Sequence, residues 1–145
     1  LKICPDGLTR YERSTLKAAL VMGTGEARRA RELLPGFRSR LDAFFDQVDI
    51  LLTPATAVPA FPLGHRPTRI DGVDVDWLWG AFPFTAPFNV GGLAVSALPC
   101  GLAQGLPVSV QIAARAGAEQ RVLDLSQDLE EALAFDRSRL DAMWT

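Results

Sequence analysis

Cysteine and histidine are scarce in this sequence. It contains two cysteines, at positions 4 and 100, and one histidine, at position 65. Two cysteines cannot complete a four-ligand zinc site or a disulfide framework, and they suit a reducing compartment. Cys100 with His65 is the one thiol and imidazole pair that the composition offers as a nucleophile and its base. Because Cys100 ends an apolar run and His65 lies in a proline-rich stretch, we expect a buried, inert thiol and a solvated histidine instead.

Long apolar runs are also absent. No segment approaches the roughly 20 apolar residues of a membrane-spanning helix, and no basic start with an apolar centre marks a signal peptide. We therefore expect a cytoplasmic protein that does not contact the membrane. Because the sequence starts at Leu1 rather than at Met and is charged almost at once, we also expect it to be part of a longer chain.

The chain has no excess of positive charge. Its net charge is −2, whereas binding to a phosphate backbone requires a basic face, so we expect no nucleic-acid partner. The basic cluster Arg28-Arg29-x-Arg31 could contact an acidic partner, but a solvated helix face is the favoured interpretation. Asp71, Asp74 and Asp76 match no complete calcium-loop pattern and indicate a hydrophilic turn rather than a metal site.

Hydrophobic spacing predicts the order of elements. Apolar residues recur at helical spacing from Leu16 to Leu34, Pro35-Gly36 ends that run, and a second helix follows from Phe37 to Val48. Val122, Leu125, Leu129 and Leu133 form a later helical stripe. Assigned by region, the prediction is helical for 1–48, strand and proline-rich turn for 49–61, loop for 62–88, two strands for 89–116 and helical for 117–145.

Strands are indicated by short apolar runs and by alternation. Asp49 to Pro54 is an apolar run closed by prolines, which is typical of a buried strand. Leu93, Val95 and Ala97 share one face of the next strand, and Val108, Val110 and Ile112 share one face of the last, with Ser109 and Gln111 opposite. The linker from Gly101 to Gly105 is short enough for a hairpin, whereas parallel neighbours would need a longer crossover.

A series of motifs follows the same order along the chain as in a known family. The motifs are Asp49-Ile-Leu-Leu-Thr-Pro54, Thr85-x-Pro87-x-Asn89, Gly92-Leu93, Pro99-Cys100-Gly101, Gly105-Leu-Pro107, Gln111 and Glu119. Together they resemble the C-terminal part of the amidase signature family. Ala94 and Ser109 depart from that pattern, because members usually have Pro and Gly there.

The resemblance implies a fold and an activity. The fold would be α/β, with helices packed on part of a mixed sheet. The activity would be hydrolysis of carbon-nitrogen amide bonds by a Ser nucleophile that a second Ser and a Lys activate, without a cofactor or a metal. The family carries those residues on a Gly/Ser-rich stretch upstream of these motifs, and this sequence has no such stretch. We therefore expect no catalytic residue in this chain and no activity of the chain by itself.

What this chain would supply is a wall of the pocket for a small-molecule amide. Aromatic side chains on a loop against a catalytic centre give an apolar pocket that selects by shape. The candidate substrate-binding residues are Trp77, Trp79, Phe82, Phe84, Phe88 and Asn89. The aromatic residues could equally be core, and for Asn89 a structural hydrogen bond to its own loop is favoured over substrate contact.

Two alternatives remain open. One branch of the family, the A subunits of glutamyl-tRNA amidotransferases, holds the charged ends of glutamine with an acidic residue and an arginine. The corresponding positions here are Phe82 and Ala19, which favours a general amidase for a neutral amide. The second alternative is a non-catalytic interaction or dimerisation module, for example in a homodimer, since exposed strand edges favour association.

Overall fold

A computed structural model describes residues 7–136 and residue 138. The helices are α1 (Arg10–Val21), α2 (Thr24–Phe45), α3 (Ala86–Gly91) and α4 (Glu119–Leu133). The strands are β1 (Leu51–Pro54), β2 (Arg69–Ile70), β3 (Val73–Asp74), β4 (Ala94–Ala103) and β5 (Leu106–Ala114). The chain divides into two units, residues 1–37 and residues 38–145. Among the described residues, none of the helices combines the length and the hydropathy that crossing a bilayer requires.

Residues 10–21 and 24–37 of the first unit are helical, as predicted, but the boundary between the two helices lies elsewhere, and the helical prediction for residues 1–6 falls outside the described residues. A capping box starts α1: the Thr9 hydroxyl accepts from the Glu12 amide, and the Glu12 carboxylate accepts from the Thr9 amide. The chain turns extended at Met22, and α2 begins after Gly23, whose carbonyl accepts from the amide of Glu26 at 3.0 Å. The predicted apolar stripe from Leu16 to Leu34 is therefore divided between two helices.

The predicted break at Pro35-Gly36 is wrong, because α2 runs through Pro35. Proline inside a helix removes one backbone hydrogen bond and crowds the preceding turn. The carbonyl that loses its donor belongs to Arg31, four residues earlier, and this residue is exposed, so water can replace the missing partner. The exposure of this part of α2 therefore lowers the cost of a proline in the helix interior.

The second unit contains a three-stranded sheet in the order β1-β5-β4. Both pairings are antiparallel, with Leu52 opposite Ile112 and Leu98 opposite Val110. The predicted hairpin is confirmed. Its two-residue turn is Gln104-Gly105, both with positive φ (55° and 78°), which suits the right-handed twist of the strands. The α/β class is confirmed, and the part of the sheet within the described residues is antiparallel.

The core lies on both faces of this sheet. On one face, α4 places Val122 against the buried residues Ala94, Ile112 and Ala114. On the other face, Phe45 of α2 and Phe88 of α3 surround Ala113. Because Ile112, Ala113 and Ala114 are all fully buried, the end of β5 is enclosed on both sides. β5 is therefore the central strand of this sheet in both its pairing and its burial.

The region predicted as a loop, 62–88, contains two elements that the sequence analysis missed. Asp71-Gly72, both with positive φ, form the turn of a small hairpin that pairs β2 with β3. The helix α3 begins at Ala86, where Pro87 fits the first turn, and ends at Gly91, which Gly92 follows in the left-handed conformation. Phe88 and Asn89 are therefore helical rather than loop and strand.

At the end of the chain, the predicted helical region 117–145 is helical as far as Leu133. Ala134 follows in the left-handed conformation, with its amide bonded to the Glu130 carbonyl. Residues 134–136 are not helical. Residue 137 and residues 139–145 lie outside the described part of the chain, and the prediction for them stays a prediction.

Candidate functional site

The structure separates the six predicted site residues into different environments. Phe88 is 6% exposed and packs with Phe45 and Ala113 in the core. Asn89 lies exposed on α3, and within the described residues its side chain makes no hydrogen bond, so the expected bond to its own loop is not formed. The remaining four side chains belong to the segment between β3 and α3.

A compact turn begins that segment. The Asp76 carboxylate accepts hydrogen bonds from the amides of Leu78 and Trp79, at 2.9 and 2.8 Å. The amide of Gly80 donates to the Asp76 carbonyl at 2.7 Å. Glycine is required there, because a Cβ at position 80 would lie 2.6 Å from that carbonyl oxygen. Asp76 thus has a structural role in a turn, which agrees with the hydrophilic turn predicted for this acidic segment.

Trp79 lines a cavity of about 430 Å³. This residue is 55% exposed, so a large part of its surface faces open space. The other lining residues come from the turn, the small hairpin and the chain after β1: Ala57, Ile70, Val75, Asp76, Gly80 and Pro83. The walls are mainly apolar, and the one carboxylate among them is already bonded to the backbone of the turn. Such a cavity suits an apolar group of a small molecule.

Trp77 and Phe82 contact the same charged side chain. The guanidinium carbon of Arg66 lies 5.2 Å from the Trp77 ring centroid and 5.6 Å from the Phe82 ring centroid. Arg66 also donates a hydrogen bond to the Leu78 carbonyl at 2.9 Å. Phe82 in addition meets Phe61 at a centroid distance of 6.5 Å. Arg66 was not among the predicted site residues, because its own stretch is rich in proline and no local pattern links it to the rings at Trp77 and Phe82.

Gln111 connects the loop to the sheet. This residue of β5 is 4% exposed. Its amide nitrogen lies 3.1 Å from the Pro54 carbonyl, 3.3 Å from the Thr53 hydroxyl and 3.4 Å from the Phe84 carbonyl. Phe84 is half-buried, and the contact from Gln111 holds its backbone carbonyl. Gln111 was noted as part of the motif series, but its role as the link between β1, β5 and this loop was not predicted.

The Cys100 and His65 side chains have separate partners. The Cys100 thiol is half-buried and donates to the Val108 carbonyl at 3.6 Å. It lies on a second, mainly apolar cavity of about 520 Å³ between the end of β1 and the β4–β5 hairpin. His65 is exposed, with Nδ1 3.0 Å from the Leu63 carbonyl in its own loop. These contacts fit structural roles for both residues.

The three aspartates of the hairpin region also have local roles. Asp71 forms the hairpin turn, and Asp74 lies 3.8 Å from Arg69. Within the described residues, no group of three or more histidine, cysteine or carboxylate side chains is arranged to hold a metal ion.

Comparison with known proteins agrees with the sequence motifs. A family model described as Amidase matches residues 7–123. The A subunit of the glutamyl-tRNA(Gln) amidotransferase of Synechococcus sp. (strain JA-2-3B'a(2-13)) is 36% identical over 95 residues, which are 66% of this chain and 18% of that relative. This chain thus spans about a fifth of the length of this curated relative.

Two solved structures share the fold. A crystal structure of an amidase superimposes with a TM-score of 0.79 at 29% identity, covering 89% of this chain and 30% of the amidase. A bacterial aryl acylamidase of the amidase signature enzymes superimposes with a TM-score of 0.71 at 25% identity, covering 86% of this chain and 26% of that enzyme. Since the family model covers most of its length, the chain belongs to the amidase signature family.

Proposed function

We propose that this chain is the C-terminal part of an amidase that hydrolyses carbon-nitrogen amide bonds through a Ser nucleophile supplied by residues outside it. The observation that carries the proposal is the match of residues 7–123 to the amidase family. The likeness to an amidase and to an aryl acylamidase supports it. The chain's own contribution would be a wall of the substrate pocket.

The cavity at Trp79 is our candidate for that wall. It is mainly apolar and about 430 Å³ in volume, which is enough for a small ring or a short aliphatic group. This favours a neutral, aromatic or aliphatic amide as the substrate. Of the six residues predicted for the site, Trp79 is the one that lines this cavity, and a role of Phe84 in the pocket stays a prediction.

The alternative is the A subunit of a glutamyl-tRNA amidotransferase, which the 36% identity to such a protein favours. Against it, the predicted position of the acidic residue is Phe82, which packs against Phe61. The two functions differ in their substrate, so an assay for ammonia release from glutamine and from neutral amides separates them.

The first test concerns catalysis. The isolated chain should not hydrolyse a panel of anilides and simple amides, because it lacks a Ser and Lys pair on a Gly-rich segment. The full-length protein should hydrolyse at least one of them. Activity of the isolated chain that disappears in the variant Cys100→Ala would instead assign the reaction to the thiol.

The second test concerns the pocket. Trp79→Ala and Phe84→Ala in the full-length protein should change the ranking of amides by acyl size. Since one methylene in an apolar pocket changes kcat/KM by about tenfold or more, the ratio for a bulky and a short amide should shift by at least that factor. Leu63→Ala is the control, because Leu63 is 99% exposed. An equal loss for all amides would show that these rings support the fold and not the pocket.

A role in association is the remaining proposal. The sheet order places β4 at an edge of the sheet within the described residues, and exposed edges promote pairing. We expect the isolated chain to form dimers or larger species. Light scattering at several concentrations measures this, and a strictly monomeric chain would contradict it.

A further inference from the structure

Arg66 is the point where two separate parts of the chain meet. It lies in the segment between β1 and β2, whereas the groups that it contacts belong to the segment between β3 and α3. Its guanidinium carbon is 5.2 Å from the ring centroid of Trp77 and 5.6 Å from that of Phe82, and Nη1 donates to the Leu78 carbonyl at 2.9 Å. A single half-buried side chain therefore contacts three positions of the candidate loop.

These contacts suit the guanidinium group in particular. Its planar shape allows it to face aromatic rings while its N–H groups donate within the same plane. A lysine ammonium would keep the charge but would lose the flat surface and the fixed direction of the hydrogen bond. The side chain therefore fixes both the rings and the backbone between them.

The position of Trp79 depends on these fixed groups. Trp79 follows Leu78, and the Leu78 carbonyl accepts a hydrogen bond from Arg66. The Trp79 carbonyl accepts from the amide of Phe82 at 2.8 Å. A further backbone bond, from the Ala57 amide to the Ala81 carbonyl at 3.0 Å, joins the same two segments. Displacement of Arg66 would leave the bonds of Asp76 within the turn, but it would remove the contacts that join Trp77, Leu78 and Phe82, on either side of Trp79, to the segment between β1 and β2.

We propose that Arg66 is a positioning residue that determines substrate selectivity, by holding Trp77, Leu78 and Phe82 so that Trp79 forms a fixed wall of the amide pocket. The proposal rests on the proposed amidase function for its effect on selectivity. Its structural part, the ordering of the loop by Arg66, does not depend on any activity.

The experiment compares Arg66→Ala, Arg66→Lys and a matched control in the full-length protein. The control is Arg69→Ala, because Arg69 is in the same region and also donates to a backbone carbonyl, that of Gly72 at 3.0 Å. Both alanine variants lose one positive charge and one hydrogen bond from an arginine to a backbone carbonyl. The two readouts are hydrogen exchange of the backbone amides from Leu78 to Phe82, and kcat/KM for a bulky and a short neutral amide.

We expect Arg66→Ala to speed exchange of these amides by at least about tenfold, because it removes two ring contacts and one charged hydrogen bond. The ratio of kcat/KM for the two amides should change by a similar factor, mainly through KM for the bulky amide. Arg66→Lys should recover part of both effects, and Arg69→Ala should leave both within about twofold of wild type.

The outcomes are distinguishable. If Arg66→Ala and Arg69→Ala behave alike in exchange, the proposal is overturned. If exchange rises in Arg66→Ala but all amides lose the same factor, Arg66 supports the fold and its role in selectivity is overturned. A wild-type protein without activity toward any amide would refute the proposed function, and with it the selectivity claim, while the exchange readout would still decide whether Arg66 orders the loop.

Discussion

Replacing Gln111 by Met tests whether one buried amide joins the loop to the sheet. Gln111 is 4% exposed, and its nitrogen contacts the Pro54 carbonyl, the Thr53 hydroxyl and the Phe84 carbonyl at 3.1 to 3.4 Å. Methionine has a similar length and volume, so the substitution removes the donor without creating a large cavity. The change in the free energy of unfolding then measures what these hydrogen bonds contribute to stability.

The expected loss follows from the groups left without a donor. The amide nitrogen carries two hydrogens, so at most two of the three contacts are full hydrogen bonds. A buried acceptor that loses its partner costs about 1–3 kcal/mol. Because Pro54 is exposed at the end of β1 and water can reach part of it, we expect a total loss of about 2–3 kcal/mol.

Urea denaturation measures this loss as a shift of the unfolding midpoint at unchanged slope. Gln127→Met is the matched control: Gln127 also donates to one acceptor, the Glu131 carboxylate at 3.1 Å, but both lie exposed on α4. The control should change the free energy of unfolding by less than about 0.5 kcal/mol. Equal midpoint shifts for the two variants would refute the assigned role of Gln111.

Two further predictions concern packing and a helix terminus. A Cβ at position 91 would overlap a terminal methyl group of Leu41, which can shift by rotation, so Gly91→Ala should lower the free energy of unfolding by about 1 kcal/mol. Gly25→Ala, where nothing lies within 4 Å, should be neutral or stabilising in the same urea experiment, and similar losses would contradict this. The pKa of Glu12 lies below its usual value of 4.5, because its carboxylate accepts hydrogen bonds from the backbone amide of Thr9 and, to a smaller extent, from the Thr9 hydroxyl. The ionised carboxylate therefore stabilises the start of α1 above pH 4.5. This stabilisation is lost as the pH falls through the lowered pKa. An NMR titration should show this pKa rising only part of the way back in Thr9→Ala, since the backbone donor remains; an unchanged pKa would show that the hydroxyl contributes nothing.

The order of the major elements followed from local patterns. The hairpin between β4 and β5 was predictable because a short linker with glycine permits an antiparallel pair. The family was predictable as well, from motifs such as Asp49 to Pro54 and Thr85 to Asn89, which keep their order and spacing. The first and last helices, α1 and α4, followed from the spacing of apolar residues. The break between α1 and α2 lies at Gly23, whereas the sequence pattern placed it at Pro35.

The candidate site was predicted less well than the fold. The sequence marked a group of aromatic residues but gave no means of separating pocket from core. The structure assigns Phe88 to the core and Trp79 to the cavity, and it places Trp77 and Phe82 against Arg66. Aromatic side chains of this group thus lie in three different environments.

By itself, the sequence determined the helical regions near the two ends of the chain, the central strands and the family, because periodicity, turn residues and motif spacing act between near neighbours in the chain. Only the tertiary structure decided how the long loop is built. Its organising contacts join distant positions, as when Gln111 meets Thr53 across 58 residues and Arg66 meets Leu78 across 12. Such contacts depend on which faces the sheet and its helices bring together, and no local pattern of residues encodes that.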